Sequence, residues 1–135
     1  MSRVAIITAG AGLGIGHGIT EALAGKGWQV LITARKEAEA TAFVEKLRGQ
    51  GTEAEAIILD VTDENAPARC VAKALASFGR IDALVNNAGG GLVKKLLDAT
   101  DAEFMQLFEV DFLAPMRFTR AALPELIKTK GATIN

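Results

Sequence analysis

The sequence predicts an α/β fold with a doubly wound parallel sheet. Short, wholly apolar and mostly β-branched runs recur along it, which is typical of strands that helices cover on both faces. These runs begin near Val4, Val30, Ile57 and Ala83, every 26 or 27 residues. That interval is close to the ~30 residues of a strand, a crossover helix and the next strand. Between the runs the apolar residues follow a helical period instead.

Strands are predicted at the apolar runs, with a fifth near the end of the chain. Their cores are Val4–Ile7, Val30–Ile32, Ile57–Leu59, Leu84–Val85 and Thr133–Ile134. Three helices are predicted between the first four strands, each with an apolar face and a glycine after its last turn, where a left-handed residue is favoured. The apolar faces are Ile15, Ile19 and Leu23, then Phe43, Val44 and Leu47, then Val71, Leu75 and Phe78.

A longer fourth helix is predicted after a loop near Gly89–Ala99. It begins at Thr100, because Thr100 and Glu103 have the spacing of a capping box. We expect Pro115 to bend or break this helix, since proline has no backbone N–H and clashes with the preceding turn. The segment then continues to about Pro124. The side chains expected to face inward are Phe104, Leu107, Phe108 and Phe112.

The composition limits the classes of function. The chain has 135 residues, which predicts one domain, and its net charge of −1 gives no basic excess for nucleic acid or anionic lipid. One Cys and one His provide neither a disulfide nor a transition-metal site. No stretch reaches the roughly 18 apolar residues of a membrane span, and residues 1–10 lack the apolar core and cleavage site expected of a secretory signal. We therefore expect a cytoplasmic protein with a small-molecule partner.

A glycine-rich segment follows the first strand and opens the first helix. Its residues are Gly10, Ala11, Gly12, Leu13, Gly14, Ile15 and Gly16. Helix N-termini present unpaired N–H groups and a partial positive charge, and glycines let a pyrophosphate approach the backbone. Directly after a strand, this pattern favours dinucleotide binding. The alternative is a glycine-rich turn that is needed only for close packing of the helix against the strand.

The residues after the second strand indicate which dinucleotide is bound. NAD-binding units usually have Asp or Glu there to hold the ribose 2′-hydroxyl, whereas this chain has Arg35 and Lys36. A guanidinium donates two parallel charge-assisted hydrogen bonds, which suits a 2′-phosphate. The sequence therefore favours NADP over NAD. The alternative is that both cations are solvated side chains at a helix start.

Several motifs together resemble the short-chain dehydrogenase/reductase family. They are Gly10-x3-Gly14-Ile15-Gly16, Asp60-Val61 after the third strand, and the run Phe78-Gly79-Arg80-Ile81-Asp82-Ala83-Leu84-Val85-Asn86-Asn87-Ala88-Gly89. The resemblance extends along the whole chain. It implies a Rossmann-type sheet of strand order 3-2-1-4-5. It also makes residues 1–135 an NAD(P)-binding domain that lacks the family's C-terminal strands and helices.

The resemblance implies a set of cofactor contacts besides the glycines and Arg35. These residues are Asp60, Val61, Asn87, Ala88, Gly89 and Val110. Asp60 and Val61 are expected at the adenine edge, while Asn87 and the two residues after it are expected to flank the adenosine ribose. The glycines hold the pyrophosphate, which Ile15 approaches through its backbone. The alternative for Asn87 is a buried amide that satisfies backbone groups.

The chain departs from the family pattern in its loop and at one catalytic position. Ala9 separates Thr8 from Gly10, so the glycine loop looks one residue longer than the family's. Asp111 stands where the family has a catalytic Asn that helps to hold a water linked to the catalytic Lys. An ionised carboxylate only accepts hydrogen bonds, whereas Asn also donates. We therefore expect weakened or altered activity.

The third departure concerns the family's catalytic Ser and Tyr-x-x-x-Lys. The chain has no Tyr, and it stops just after the fifth strand, before the family's Ser and Tyr-x-x-x-Lys. In the family the Tyr hydroxyl is general acid or base to the substrate oxygen. We therefore expect the cofactor-binding portion of an NADP(H)-dependent carbonyl or alcohol oxidoreductase, inactive by itself, and the alternative is a non-catalytic dinucleotide-binding or interaction module. The first hypothesis predicts an exposed fifth strand and uncovered apolar surface on the long helix. Family members commonly pair through this helix, so we expect a homo-oligomer.

Overall fold

The computed structural model describes all residues, Met1–Asn135, and contains one five-stranded parallel sheet. The strands are β1 (Val4–Ile7), β2 (Gln29–Ala34), β3 (Ala54–Ile58), β4 (Ala83–Val85) and β5 (Ala132–Ile134). The helices are α1 (Ile15–Gly25), α2 (Glu37–Gly49), α3 (Ala66–Phe78), α4 (Asp101–Phe108) and α5 (Ala114–Thr129). The sheet order is β3-β2-β1-β4-β5, so the predicted doubly wound fold and its strand order are confirmed.

The sheet is buried on both faces because its strands are continuous apolar runs. Ile6 pairs with Leu31 of β2 on one side and with Leu84 of β4 on the other. These three side chains join α3 and α5 in one apolar cluster. Their neighbours along the strands, such as Ile7 and Ile32, join α1 and α2 in a second cluster. Burial of both faces explains why the strands show no alternation of apolar and polar residues.

The helices bury small residues against the sheet, and this corrects two predicted faces. In α1 the buried residues are Gly16, Thr20 and Ala24, and in α3 they are Ala66, Pro67, Cys70 and Ala74. The larger side chains predicted to be central in α3 are half-buried and pack at the margin of the core. Ile15 is 79% exposed, so its predicted place on the inner face of α1 is wrong. In α2 the predicted face is confirmed: Phe43, Val44 and Leu47 are buried.

A turn of π-helix over residues 109–113 separates α4 from α5. The predicted capping box of Thr100 and Glu103 opens α4. Pro115 has no N–H to donate to the carbonyl of Asp111, so the regular hydrogen-bond ladder cannot pass this point. The predicted break at Pro115 is therefore confirmed, and it takes the form of this π turn.

The prediction that the aromatic side chains of the fourth helix face inward is wrong for this chain. Phe104, Phe108 and Phe112 are 45%, 44% and 56% exposed. Within the chain α4 packs chiefly against the π turn that follows it, and no strand covers its apolar face. The expected uncovered apolar surface on the long helix is thus present, and β5 is exposed at the edge of the sheet. None of the helices combines the length and hydropathy needed to cross a bilayer.

Candidate functional site

A cleft of about 1260 Å³ lies at the carboxyl ends of the strands. In a parallel α/β sheet, ligands bind in the crevice outside these ends, where the strand order reverses. The cleft is lined by residues that follow four different strands, β1 to β4, and by the turn between α4 and α5. The predicted site residues among its lining are Arg35, Asp60, Val61, Ala88, Gly89 and Val110.

The glycine segment divides into two glycines that face open space and two that are packed. A Cβ on Gly14 would meet no atom within 4 Å, and a Cβ on Gly12 would meet only Glu39 Oε2, at 3.9 Å. Gly12 has a φ of +79°, which favours glycine. Gly14 is extended and stands directly before the first turn of α1. The backbone before α1 is therefore open to an approaching anion.

The other two glycines allow close packing of the loop. A Cβ on Gly10 would lie 2.6 Å from Cγ2 of Ile32 in β2. A Cβ on Gly16 would overlap the carbonyl oxygen of Ala9 and the amide of Asn87. The tight-packing interpretation of the glycine pattern thus applies to Gly10 and Gly16, whereas Gly12 and Gly14 face space that an anion could occupy.

Ala9 adopts a left-handed conformation with a φ of +50°. Such a conformation costs an L-residue roughly 1–2 kcal/mol. Ala9 is held there by its N–H, which donates to Oγ1 of Thr33 at 3.0 Å. Ala9 is therefore accommodated in a tight turn between Thr8 and Gly10.

Thr8 and Asn87 join the ends of β1 and β4. Oγ1 of buried Thr8 accepts from the N–H groups of Asn87 and Ala88, both at 2.9 Å. The amide of Asn87 donates to the carbonyl oxygens of Thr8 at 3.1 Å and Ala9 at 3.3 Å. The side chain of Asn87 thus shapes the glycine loop. The sequence-based set of site residues missed Thr8, although a polar residue directly after an apolar strand is a signal for such a role.

Arg35 and Asp60 stand at the ends of β2 and β3 and line the same cleft. Oδ1 of Asp60 accepts from the N–H of Thr62 at 2.9 Å and from its hydroxyl at 2.7 Å. These two hydrogen bonds, with the positive charge of Arg35, lower the pKa of the Asp60 carboxyl. Lys36 points to Glu39 at 3.3 Å, whereas Arg35 forms no ion pair within the chain. The guanidinium of Arg35 is therefore free to bind an anion.

A family model for short chain dehydrogenases matches residues 3–135. The chain belongs to the short-chain dehydrogenase family. Among its curated relatives, L-fucose dehydrogenase of Bos taurus is 37% identical over 134 residues, which cover 98% of this chain and 48% of that protein. Diacetyl reductase of Staphylococcus epidermidis is 34% identical over 137 residues, which cover 100% and 53%. The chain thus spans about half the length of the curated relatives it matches.

Solved structures of family members share the fold of this chain. The alcohol dehydrogenase of Thermococcus sibiricus, complexed with 5-hydroxy-NADP, superposes with a TM-score of 0.91 at 33% identity, covering 98% of this chain and 57% of that one. L-sorbose reductase of Gluconobacter frateurii, complexed with NADPH and L-sorbose, gives a TM-score of 0.90 at 28% identity, covering 98% and 51%. These similarities support the predicted family.

Asp111, the residue predicted to stand at the family's catalytic Asn position, lies in the π turn and is exposed. Its Oδ1 accepts from the N–H of Gly90 at 2.8 Å. Gly90 belongs to the loop that follows β4 and lines the cleft. The carboxylate therefore tethers this loop to the helix, a role that needs only an acceptor. An Asn side chain offers the same acceptor through its carbonyl oxygen.

Proposed function

We propose that this short-chain dehydrogenase binds NADP(H) for hydride transfer to or from a small carbonyl or alcohol substrate. The observation that carries the proposal is the guanidinium of Arg35 at the end of β2, which forms no ion pair and lines the same cleft as Ala9, the residue directly before the glycine loop. A dinucleotide needs an open helix N-terminus for its pyrophosphate and, for NADP, a cation for its 2′-phosphate. Both features occur here on adjacent strands.

The residues present fit the cofactor. Gly12 and Gly14 leave space in front of the α1 N-terminus for the pyrophosphate, which Ala11, Leu13, Ile15 and Gly16 would contact as parts of the same loop. Asp60 and Val61 would bind the adenine edge, with Val110 across the cleft. Ala88 and Gly89 would flank the adenosine ribose, and Asn87 would hold the loop in shape. The bound cofactor would supply or accept the hydride.

NADP is favoured over NAD because Arg35 stands where NAD-binding units carry an acid. A guanidinium without a partner in the chain stabilises a phosphate by two charge-assisted hydrogen bonds. Two of the similar solved structures are complexes with 5-hydroxy-NADP and NADPH, which supports this choice.

The 135-residue chain is expected to bind the cofactor without turnover. It contains no Tyr, so it has no side chain for the general acid or base that the family's Tyr provides. Activity would then depend on a Tyr-x-x-x-Lys, which these 135 residues do not include, and on a Ser at the family's position, with Asp111 where the family is expected to have Asn. The lack of Tyr also favours the second candidate, a non-catalytic dinucleotide-binding module. The exposed apolar face of α4 supports assembly into a homo-oligomer, and the single buried Cys70 is compatible with the expected reducing, cytoplasmic setting.

A calorimetric titration of the chain with each nucleotide tests the proposal. The wild-type chain should bind NADPH more tightly than NADH, and Arg35→Ala should remove most of that preference. Lys36→Ala is the matched control, since Lys36 is already paired with Glu39. No binding of either nucleotide at roughly 1 mM would overturn the proposal. Equal loss of preference in both variants would show that general positive charge, and not Arg35, selects the 2′-phosphate.

A further inference from the structure

Asp111 contributes an unpaired negative charge beside the loop that follows β4. One of its oxygens accepts from Gly90, and no cation pairs with the carboxylate. The nearby acids that line the cleft are neutralised: Glu103 is paired with Lys94 at 2.9 Å and Glu109 with Arg117 at 3.0 Å. Of the two carboxylates of the π turn, Glu109 thus has an ion pair and Asp111 has none.

The sheet order places the Gly90 loop, which lines the cleft and is bonded to Asp111, on one half of the proposed cofactor site. β1 is central, with β2 and β3 on one side and β4 and β5 on the other. Under the proposed function, the pyrophosphate lies at the α1 N-terminus after β1, and the adenosine lies toward Arg35 and Asp60 after β2 and β3. The other end of an extended dinucleotide then lies on the β4 side. Gly90 follows β4, so Asp111 and the nicotinamide share that half.

The two redox forms of the cofactor differ in charge at this end only. The nicotinamide ring carries a positive charge in NADP⁺ and none in NADPH, whereas the adenosine and the phosphates are the same. A nearby carboxylate therefore stabilises the oxidised form and leaves the reduced form almost unaffected. We propose that Asp111 makes this site favour the oxidised over the reduced cofactor, compared with the same site carrying a neutral residue. This inference rests on the proposed function.

Binding of the matched pair NADP⁺ and NADPH to the 135-residue chain tests the inference without any turnover. Asp111→Asn removes the charge and keeps an acceptor for the Gly90 N–H. The ratio of the Kd of NADPH to the Kd of NADP⁺ should fall about three- to tenfold in this variant, the size expected of one partly solvated charge. Because both cofactors carry the same phosphates, the contribution of the phosphates to the two Kd values cancels in the ratio.

The control is Asp101→Asn, which changes the net charge equally but lies at the start of α4, roughly 15 Å along the helix from Asp111. The ratio of the Kd of NADPH to the Kd of NADP⁺ should be the same in Asp101→Asn as in the wild type. A second variant, Asp111→Ala, removes both the charge and the tether. The same fall in both Asp111 variants assigns the effect to charge, whereas a fall in Asp111→Ala alone overturns the inference.

A salt series on the wild-type chain needs no variant and covers the case in which a variant does not fold. The ratio should decline toward the Asp111→Asn value as salt screens the exposed carboxylate. A ratio that is unchanged by both salt and Asp111→Asn overturns the inference while nucleotide binding itself stands. If the wild type binds neither nucleotide, the proposed function fails, and the inference fails with it.

Discussion

Thr8 and Asn87 bond to each other in both directions across the ends of β1 and β4. Oγ1 of Thr8 accepts from the backbone N–H of Asn87 at 2.9 Å, and the side-chain amide of Asn87 donates to the carbonyl oxygen of Thr8 at 3.1 Å. Parallel strands end with unpaired backbone groups, and these two residues satisfy them where β1 and β4 leave the sheet. The arrangement fixes the loop that precedes α1.

Thr8→Val should destabilise the fold by about 2 kcal/mol. The substitution keeps the shape of the side chain but leaves the N–H of Ala88 without its acceptor, while the N–H of Asn87 keeps only its bond to the carbonyl oxygen of Val85 at 3.1 Å. An unsatisfied donor away from water costs roughly 1–3 kcal/mol. Thr8→Ser keeps the hydroxyl and should retain most of the stability. Urea denaturation measures both variants, and equal stability of Thr8→Val and wild type would contradict the role given to the hydroxyl.

Gly10→Ala should lower the stability of the fold, whereas Gly14→Ala should lower the affinity for NADPH. Gly10→Ala forces a Cβ to 2.6 Å from Cγ2 of Ile32, so it should cost about 1–3 kcal/mol of stability by overpacking. Gly14→Ala meets no atom within 4 Å, so it should leave the melting temperature near that of wild type. Its methyl group lies where the pyrophosphate is proposed to approach, so NADPH affinity should fall. If Gly14→Ala instead lowers the stability and leaves the NADPH affinity unchanged, the assignment of Gly14 to cofactor binding rather than to packing is wrong.

Ala9→Gly should stabilise the chain by about 0.5–1 kcal/mol. Ala9 has a φ of +50°, and relief of this left-handed conformation outweighs the greater freedom of glycine in the unfolded chain. Thermal unfolding of the two proteins measures the effect. A lower melting temperature for Ala9→Gly would show that the methyl group makes contacts worth more than the strain.

Asp82 should make the stability depend on pH. It is 7% exposed, and although burial raises the pKa of its carboxyl, hydrogen bonds from Arg80 and the N–H of Val4, with the charges of Arg80 and Arg3, lower that pKa below the ordinary 3.8. A carboxyl with a lowered pKa in the folded state stabilises the fold above its unfolded pKa, and that stabilisation is lost as the pH falls through the folded pKa.

The pH dependence is measured by comparing wild type with Asp82→Asn. The wild type should be the more stable above about pH 4, and the difference in free energy of unfolding should shrink as the pH falls further. A difference that is constant from pH 7 down to acid unfolding would mean that Asp82 acts by shape and not by charge. Asp63→Asn, which removes an exposed carboxylate, serves as the control and should track the wild type.

The local sequence was sufficient to place the five strands, although β3 is Ala54–Ile58 and not the predicted Ile57–Leu59. It was also sufficient for the helix cap and for most residues at the strand ends. Apolar runs of regular spacing indicate a sheet that is buried on both faces. A strand in such a sheet must be apolar along its length, and this requirement does not depend on which strands are its neighbours. The positions of Arg35 and Asp60 in the cleft follow from the same rule, because every parallel strand ends at one edge of the sheet. The strand order came from the resemblance to a family.

Only the tertiary structure decided which side of each helix faces the sheet, what Asn87 bonds to and where Asp111 points. Large apolar residues define the strongest helical stripe in the sequence, yet close packing on the sheet selected the smaller Thr20 and Ala24 beside it. The Asn87 and Asp111 hydrogen bonds join residues 79 and 21 positions apart. No local pattern encodes such contacts, since they depend on how separate elements meet after the chain has folded.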